Sequence, residues 1–391
     1  MSTHRTVGVG LIGLGTVGGG VAQLLRDHAE LYEKRCGASV EVRSVLVRDA
    51  AKAAGTGLVD PALITDDPEV FFAANDMNIV AELAGGIDRA GYYVRRSIET
   101  GRHVVTANKA LLAAQGSELF AQARLHAVSI GFEASCAGGI PCITALKFGL
   151  MANRFVSLVG ILNGTCNYML TEMKEKKKSY GQALADAQAA GYAEADPTLD
   201  VSGRDAADKL AILSSLAFGC RISSGQVGAI GIDTLDEHDV AAGIAAGYEL
   251  RLLGMATLAG GSLSLMVEPC YVPAGGILAG VRSANNALMI EGDAVGRVML
   301  YGPGAGRGPT ASAVVSDLLN IASGWYPAAF ETMGLTPDLH ADAELLPADG
   351  RLGDFAIRSQ GSSSLEFLRG VTAAQAHQQA DGGRALRVYE G

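Results

Sequence analysis

Cysteine is sparse and unpatterned in this chain. The six present (Cys36, Cys136, Cys142, Cys166, Cys220 and Cys270) form no CxxC pair and follow no repeating interval. That excludes a zinc ribbon or a disulfide-stapled fold and fits reduced thiols in a cytoplasmic protein. A basic surplus is also missing: 31 Lys and Arg stand against 41 Asp and Glu, a net charge of −10. Without one, phosphate counterions are not displaced, so nucleic acid is excluded as a partner. The single basic run, KEKKK at 174–178, reads as a solvated helix end. No apolar run reaches the ~20 residues of a membrane span. Val7 to Leu14 is too short for a signal peptide and leads straight into a glycine motif, so no membrane partner is expected. Only 18% of residues are charged, whereas 49% are hydrophobic and 51 of the 391 are glycine. This balance argues against disorder and suits two or three α/β domains joined by glycine-bearing turns.

The motifs at the N-terminus are consistent with that class. Thr6 to Ile12 (TVGVGLI) has the composition of a buried strand, followed by GLGTVG at 13–18 and by Val21, Leu24 and Leu25 at helical spacing. Strand, GxGxxG and helix in that order form a dinucleotide-binding arrangement. Gly13 permits the turn, Gly15 lets a pyrophosphate approach, and Gly18 allows close helix–strand packing. The N–H groups near Thr16 and Val17 would hold the phosphates. After the second strand, Val40 to Val47, come Arg48 and Asp49. Arg48 can pair with a 2′-phosphate, giving a modest preference for NADP. Alternatively it is an ordinary exposed residue and Asp49 takes the ribose of NAD. Strands at Ile79–Leu83 and His103–Thr106 flank a helix, and Lys109 follows the second of them in TANK. Ligands bind beyond the carboxyl ends of such strands, which points Lys109 at the nicotinamide region. In EASCAGGIP, 133–141, the glycines expose backbone groups to a hard cation or a close cofactor contact; a plain domain hinge is equally compatible.

The pattern changes near Phe148. Val156 to Leu162 is an apolar strand leading into NGTCNY at 163–168, and further strands at Leu263–Pro269 and Asn286–Glu291 suggest a mainly antiparallel or mixed sheet covered by helices. Between them lies GYAEADPTLDVSGRDAADKLAIL, 191–213, dense in carboxylates. Asp205 and Lys209 are four apart and share a face if helical, with Leu210, Ile212, Leu213 and Leu216 on the buried side. Alone, such a pair is a surface salt bridge. Beside an apolar wall the lysine becomes a candidate proton donor and acceptor. Gly302 to Val314, GPGAGRGPTASAV, marks the start of a last helix returning to the nucleotide domain.

Together these segments resemble homoserine dehydrogenase. GLGTVG, TANK, EASCAGGIP, LNGTCNY, GYAEADPTLDVSGRDAADKL and YGPGAGRGPTASAV occur in that family's order over residues 5–322. The resemblance implies a Rossmann dinucleotide-binding domain at 1–147 and an α+β catalytic and dimerisation domain at 148–300. A return segment at 301–325 and a tail of uncertain structure at 326–391 follow. It implies interconversion of L-homoserine and L-aspartate 4-semialdehyde with NADP or NAD, in threonine, methionine and isoleucine biosynthesis. Lys209 would be the proton donor and acceptor. Asp205 and Glu194 would bind the amino acid with Asp200 close by, and Lys109 would contact cofactor or substrate. Glu133, by side chain or backbone, and the carbonyls of Cys136, Gly138 and Ile140 would hold a sodium-like cation. Gly191 and Gly306 would approach the cofactor, and a homodimer would form through the second domain's sheet.

The chemistry of the residues agrees: an ammonium-bearing substrate needs carboxylates, and hydride removal from a carbinol needs a proton acceptor. No histidine stands in a motif, which leaves the lysine. The chain begins at the Rossmann strand, so a preceding aspartokinase domain is not expected. The residues after Ala322 lack a clear βαββαβ alternation, which puts threonine feedback through an ACT module in doubt and suggests a tail packed on a partner subunit. The competing readings are another Rossmann amino-acid dehydrogenase and a non-catalytic NAD(P)-sensing protein. The first is not expected to combine AEADP with the Asp205/Lys209 pair, and the second would have lost Lys209.

Overall fold

The computed structural model describes residues 5–327, 344–347, 351–360, 362 and 364–391. It divides into two compact units. The first takes Met1–Gly149, Gly219–Arg221 and Ala305–Ala341, and the second takes Leu150–Phe218, Ile222–Gly304 and Asp342–Gly391.

The first unit is built on six parallel strands: β1 (Thr6–Ile12), β2 (Ser39–Leu46), β3 (Ile64–Thr65), β4 (Ile79–Glu82), β5 (His103–Thr106) and β6 (Ile130–Gly131). Their order, β3-β2-β1-β4-β5-β6, is that of a Rossmann sheet, with its switch point between β1 and β4. Val9, Leu11, Ile79, Val80, Val104 and Val105 are fully buried, as a sheet covered on both faces requires. A Cβ on Gly18 would lie 2.0 Å from the Gly13 carbonyl oxygen, so only glycine lets the helix Thr16–Asp27 start this close to the turn. The helix Arg307–Ala322 belongs to this unit and packs against Thr16–Asp27, where a Cβ on Gly20 would meet the Ala311 methyl at 2.9 Å.

The second unit holds a nine-stranded mixed sheet. Its strands are β7 (Phe155–Ile161), β8 (Gly228–Ala229), β9 (Tyr248–Ala259), β10 (Ser262–Pro273), β11 (Asn285–Gly292), β12 (Gly296–Pro303), β13 (Leu352–Arg358), β14 (Glu366–Thr372) and β15 (Arg384–Val388). The long β9–β10 hairpin forms the centre, and Val159, Ile161, Leu253, Met255 and Cys270 contribute to a core on one face. The helices Gly164–Glu175 and Arg204–Phe218 pack on this sheet and carry the polar cluster described below.

Two readings need correction here. The tail, expected on a partner subunit, instead completes its own chain's sheet: β15 pairs parallel with β10, and β13 pairs with both β15 and β14. The order β13, β14, helix Ala373–Gln379, β15 buries Ala376 against Phe355 and Ile357, and buried Arg387 bonds Glu268 at 2.5 Å. The 174–178 run is not simply solvated either. Lys174 is paired with Glu249, and Lys178 lies 2.7 Å from nearly buried Glu172.

Candidate active site

In the first unit, β1, β2, β3 and β4 end around a cavity of about 930 Å³ lined by Gly13, Gly15, Arg48, Lys52, Asp66 and Gly85 among others. No side chain caps the helix Thr16–Asp27, so the N–H groups at Thr16 and Val17 keep the orphaned character of a helix start. Around the position a Cβ would take on Gly15, the space is open to 4 Å. Donors, dipole and a bare backbone together fit a pyrophosphate. Asp49 accepts from Lys52 N at 2.9 Å as the N-cap of a five-residue helix, while Arg48 is exposed and forms no ion pair among the described residues.

The turn after β4 is held by a residue that the sequence did not single out. Glu82, fully buried, accepts from Ala84 N at 3.0 Å, Gly85 N at 2.9 Å and Thr106 Oγ1 at 2.9 Å. Asn108 donates to Gly86 O at 2.6 Å and caps the helix Lys109–Leu125 through Leu111 N. The turns after β4 and β5 are thereby tied together, and Lys109 sits at the first position of that helix.

The 133–141 loop is buried at Glu133, Cys136 and Ile140 and left-handed at Ala137 and Gly138. Both Glu133 carboxylate oxygens are spent on the next helical turn: one accepts Ile143 N at 2.8 Å, the other Thr144 N at 2.8 Å and Thr144 Oγ1 at 2.5 Å. The side chain therefore serves as a cap, and the expectation of a cation here rests on backbone carbonyls. No group of three or more His, Cys, Asp or Glu able to hold a metal occurs among the described residues.

Glu133 N in turn donates to buried Asp317 at 2.9 Å, and nearby Lys147 donates to Tyr326 Oη at 2.9 Å over the Phe132 ring. Burial pushes the Asp317 carboxyl up to about 8 and pulls the Lys147 ammonium down to about 8. Folded Asp317 thus keeps its proton to about pH 8, whereas the unfolded group releases it near 3.8. Stability contributed by this group falls as pH rises between those limits. Asp317→Asn keeps an acceptor for Glu133 N and removes the titration. Relative to the parent it should be more stable at pH 8 than at pH 5 in urea unfolding, and an equal difference at both pH values would refute this.

In the second unit, Asp205 and Lys209 meet across one turn of the helix Arg204–Phe218, as their spacing requires. Lys209 Nζ donates to Asp205 Oδ2 at 2.7 Å and to Leu162 O at 2.8 Å, with its side chain only 12% exposed. Asn163, two residues after the end of β7, caps the helix Gly164–Glu175 through Cys166 N, and its Nδ2 donates to both Asp200 Oδ1 (2.7 Å) and Asp205 Oδ2 (2.8 Å). Two carboxylates and an ammonium are therefore ordered by one buried amide and one main-chain carbonyl. Glu194 is exposed and stands outside this hydrogen-bonded cluster. Asp196 accepts from Thr198 N and Oγ1, a local turn role. Gly191 and Gly306 both have positive φ, +75° and +117°.

Comparison with known proteins bears on both units. A family model described as homoserine dehydrogenase, NAD binding domain, matches residues 13–133, and one described as homoserine dehydrogenase matches 141–319. The homoserine dehydrogenase of Neisseria gonorrhoeae is 43% identical over 318 residues, covering 81% of this chain and 73% of that one. That of Pseudomonas aeruginosa is 42% identical over 359 residues, covering 91% and 82%. The chain belongs to the homoserine dehydrogenase family. The solved structure of a homoserine dehydrogenase from Thiobacillus denitrificans superposes with a TM-score of 0.90 at 36% identity, covering 100% of both chains. An archaeal homoserine dehydrogenase solved in complex with NADPH matches 81% of this chain and 97% of that one, at 25% identity and a TM-score of 0.67.

As a homoserine dehydrogenase the chain is an oxidoreductase with an NAD(P)-binding domain, and the rival readings as another dehydrogenase or a cofactor sensor are not favoured. No helix among the described residues is long and apolar enough to cross a membrane. Of the residues that order the polar cluster, Asn163 had a signal in the sequence, an N-cap asparagine between an apolar strand and a helix. The Leu162 carbonyl had none.

Proposed function

We propose that Lys209 exchanges a proton with the substrate oxygen, the hydroxyl of L-homoserine in one direction and the aldehyde oxygen of L-aspartate 4-semialdehyde in the other. The observation that supports this most strongly is the fixing of Nζ between Asp205 and the Leu162 carbonyl on a largely buried helix face. A nicotinamide cofactor, when bound, takes a hydride from the carbinol carbon or returns it. As the hydride leaves, the hydroxyl proton passes to Nζ; in reduction the ammonium donates to the developing alkoxide and stabilises its charge. Asp205 orients the lysine and, with Asp200 and Glu194, supplies the negative field for the substrate's ammonium group. Lys109, at the first position of the helix after β5, contacts cofactor or substrate.

The dinucleotide is held by Gly13, Gly15, Gly18 and the N–H groups of Thr16 and Val17, with Gly191 and Gly306 approaching it. Arg48 and Lys52 flank one end of the cavity, and with Asp49 committed to a cap the charge there suits a 2′-phosphate. NADP is therefore preferred. Arg48→Ala should raise KM for NADPH about tenfold and leave KM for NADH unchanged, the loss of ~1.4 kcal/mol expected for one charge-assisted contact. Equal changes for both cofactors, followed as aspartate-semialdehyde-dependent oxidation, would contradict that role.

The carbonyls of Glu133, Cys136, Gly138 and Ile140 suit a monovalent, sodium-like ion; replacing sodium by tetramethylammonium in the same assay tests it. The enzyme acts in the cytoplasm, in threonine, methionine and isoleucine biosynthesis, as a homodimer through the second unit's sheet. Sedimentation at the monomer mass would rule out the dimer.

A further inference from the structure

Asn286 lies on β11 opposite Gly302 of β12 and is 1% exposed. Its Nδ2 donates at 3.0 Å to the Leu162 carbonyl, the same oxygen that accepts Lys209 Nζ at 2.8 Å. Its Oδ1 is buried and meets no donor among the described residues. A Cβ on Gly304 would lie 2.2 Å from the Asn286 side-chain carbon Cγ, so the carboxamide is wedged against bare backbone at the start of the 304–306 turn. A core with no use for the donor would replace this asparagine by an apolar side chain of the same size and lose the orphaned acceptor. The arrangement is explained if the Nδ2 donor has work of its own: it fixes the carbonyl that aims the lysine.

We propose that Asn286 is a positioning residue for the reaction, acting on Lys209 through the shared Leu162 carbonyl, and that Gly304 is glycine to leave room for it. The inference rests on Lys209 as the proton-transfer group. Its chemistry follows from geometry: an ammonium held between Asp205 and a main-chain oxygen shifts when that oxygen is released, and small misplacements of a reacting group cost rate far more than binding.

The test is Asn286→Leu, which keeps the volume and removes both the donor and the orphaned acceptor. Its melting temperature should be equal to or above the parent's, and its affinity for NADPH, followed by fluorescence titration, unchanged. At saturating homoserine, kcat should fall about 10- to 100-fold, with KM altered much less. The limb of the kcat profile set by the proton acceptor should move to lower pH, because a loosened carbonyl supports the ammonium less. A folded variant with parental kcat and pH profile overturns the proposal. So does one in which stability, dinucleotide affinity and KM deteriorate together while the profile stays in place.

Asn286→Ala serves if leucine does not fold, and failure of both to fold makes the residue structural and ends the proposal. Lys209→Ala is measured alongside. Parental turnover in that variant sinks the assignment of the lysine, whereas a slow Lys209→Ala beside a parental Asn286→Leu sinks the positioning role alone.

Discussion

Lys209→Ala is expected to lower kcat by about 10³-fold in both directions, within the range found when a positioned proton-transfer group is removed. The truncation takes away the Nζ that joins Asp205 to the Leu162 carbonyl. Lys209 is not among the residues that line the first unit's cavity, so NADPH should bind as before. The carboxylates remain, so KM for the amino acid should change by less than kcat. A fall in kcat with dinucleotide affinity intact separates loss of chemistry from loss of fold. The helix itself should survive, because alanine is the best helix former and Leu210, Leu213 and Leu216 stay buried.

Asp205→Ala should be damaging in a different way. One carboxylate oxygen, Oδ2, accepts from both Lys209 and Asn163, and the residue is 8% exposed. Removing it takes an acceptor from two nearly buried donors, one of them charged. Breaking such a pair from one side costs about 3 kcal/mol or more in stability. Activity should fall as well, by about 10²-fold or more in kcat/KM, because the lysine loses the carboxylate that orients it. Chemical denaturation and steady-state kinetics on the same preparation should show both losses. Unchanged stability would mean that the pair is the marginal surface bridge its spacing alone suggests.

How much of this was legible in the sequence depends on how local each feature is. GLGTVG was readable because turn, helix start and strand end lie within a few residues, and the glycine requirement is a steric one between Gly13 and Gly18. Asp205 and Lys209 were readable because four residues make one helical turn. The placement of Lys109 at the start of a helix just beyond β5 was readable because the strand before it is short and apolar. The long-range contacts that aim these residues were not. Asn163 reaches Asp205 across 42 positions, and Lys209 reaches Leu162 across 47. Asn286 reaches Leu162 across 124, a contact created by the pairing of β11 with β7.

The family resemblance implied that Glu133 holds a cation by its side chain or its backbone. In the fold its oxygens meet the N–H groups of Ile143 and Thr144 ten and eleven residues on, and the cap uses both. The tail defeated the pattern for a related reason. LGDFAIR carries a glycine and two charges within a seven-residue strand, and its sheet becomes apparent only when β10, far upstream, offers an edge to β15.

The central claim is that Lys209 acts on the chemical step, and a single-turnover experiment reaches that step without contributions from binding or product release. NADPH-loaded parent and Lys209→Ala are mixed with saturating aspartate semialdehyde, and the loss of nicotinamide absorbance is followed. The expected result is a hydride-transfer phase about 10³-fold slower in the variant at equal dinucleotide occupancy. A phase of parental rate would contradict the account.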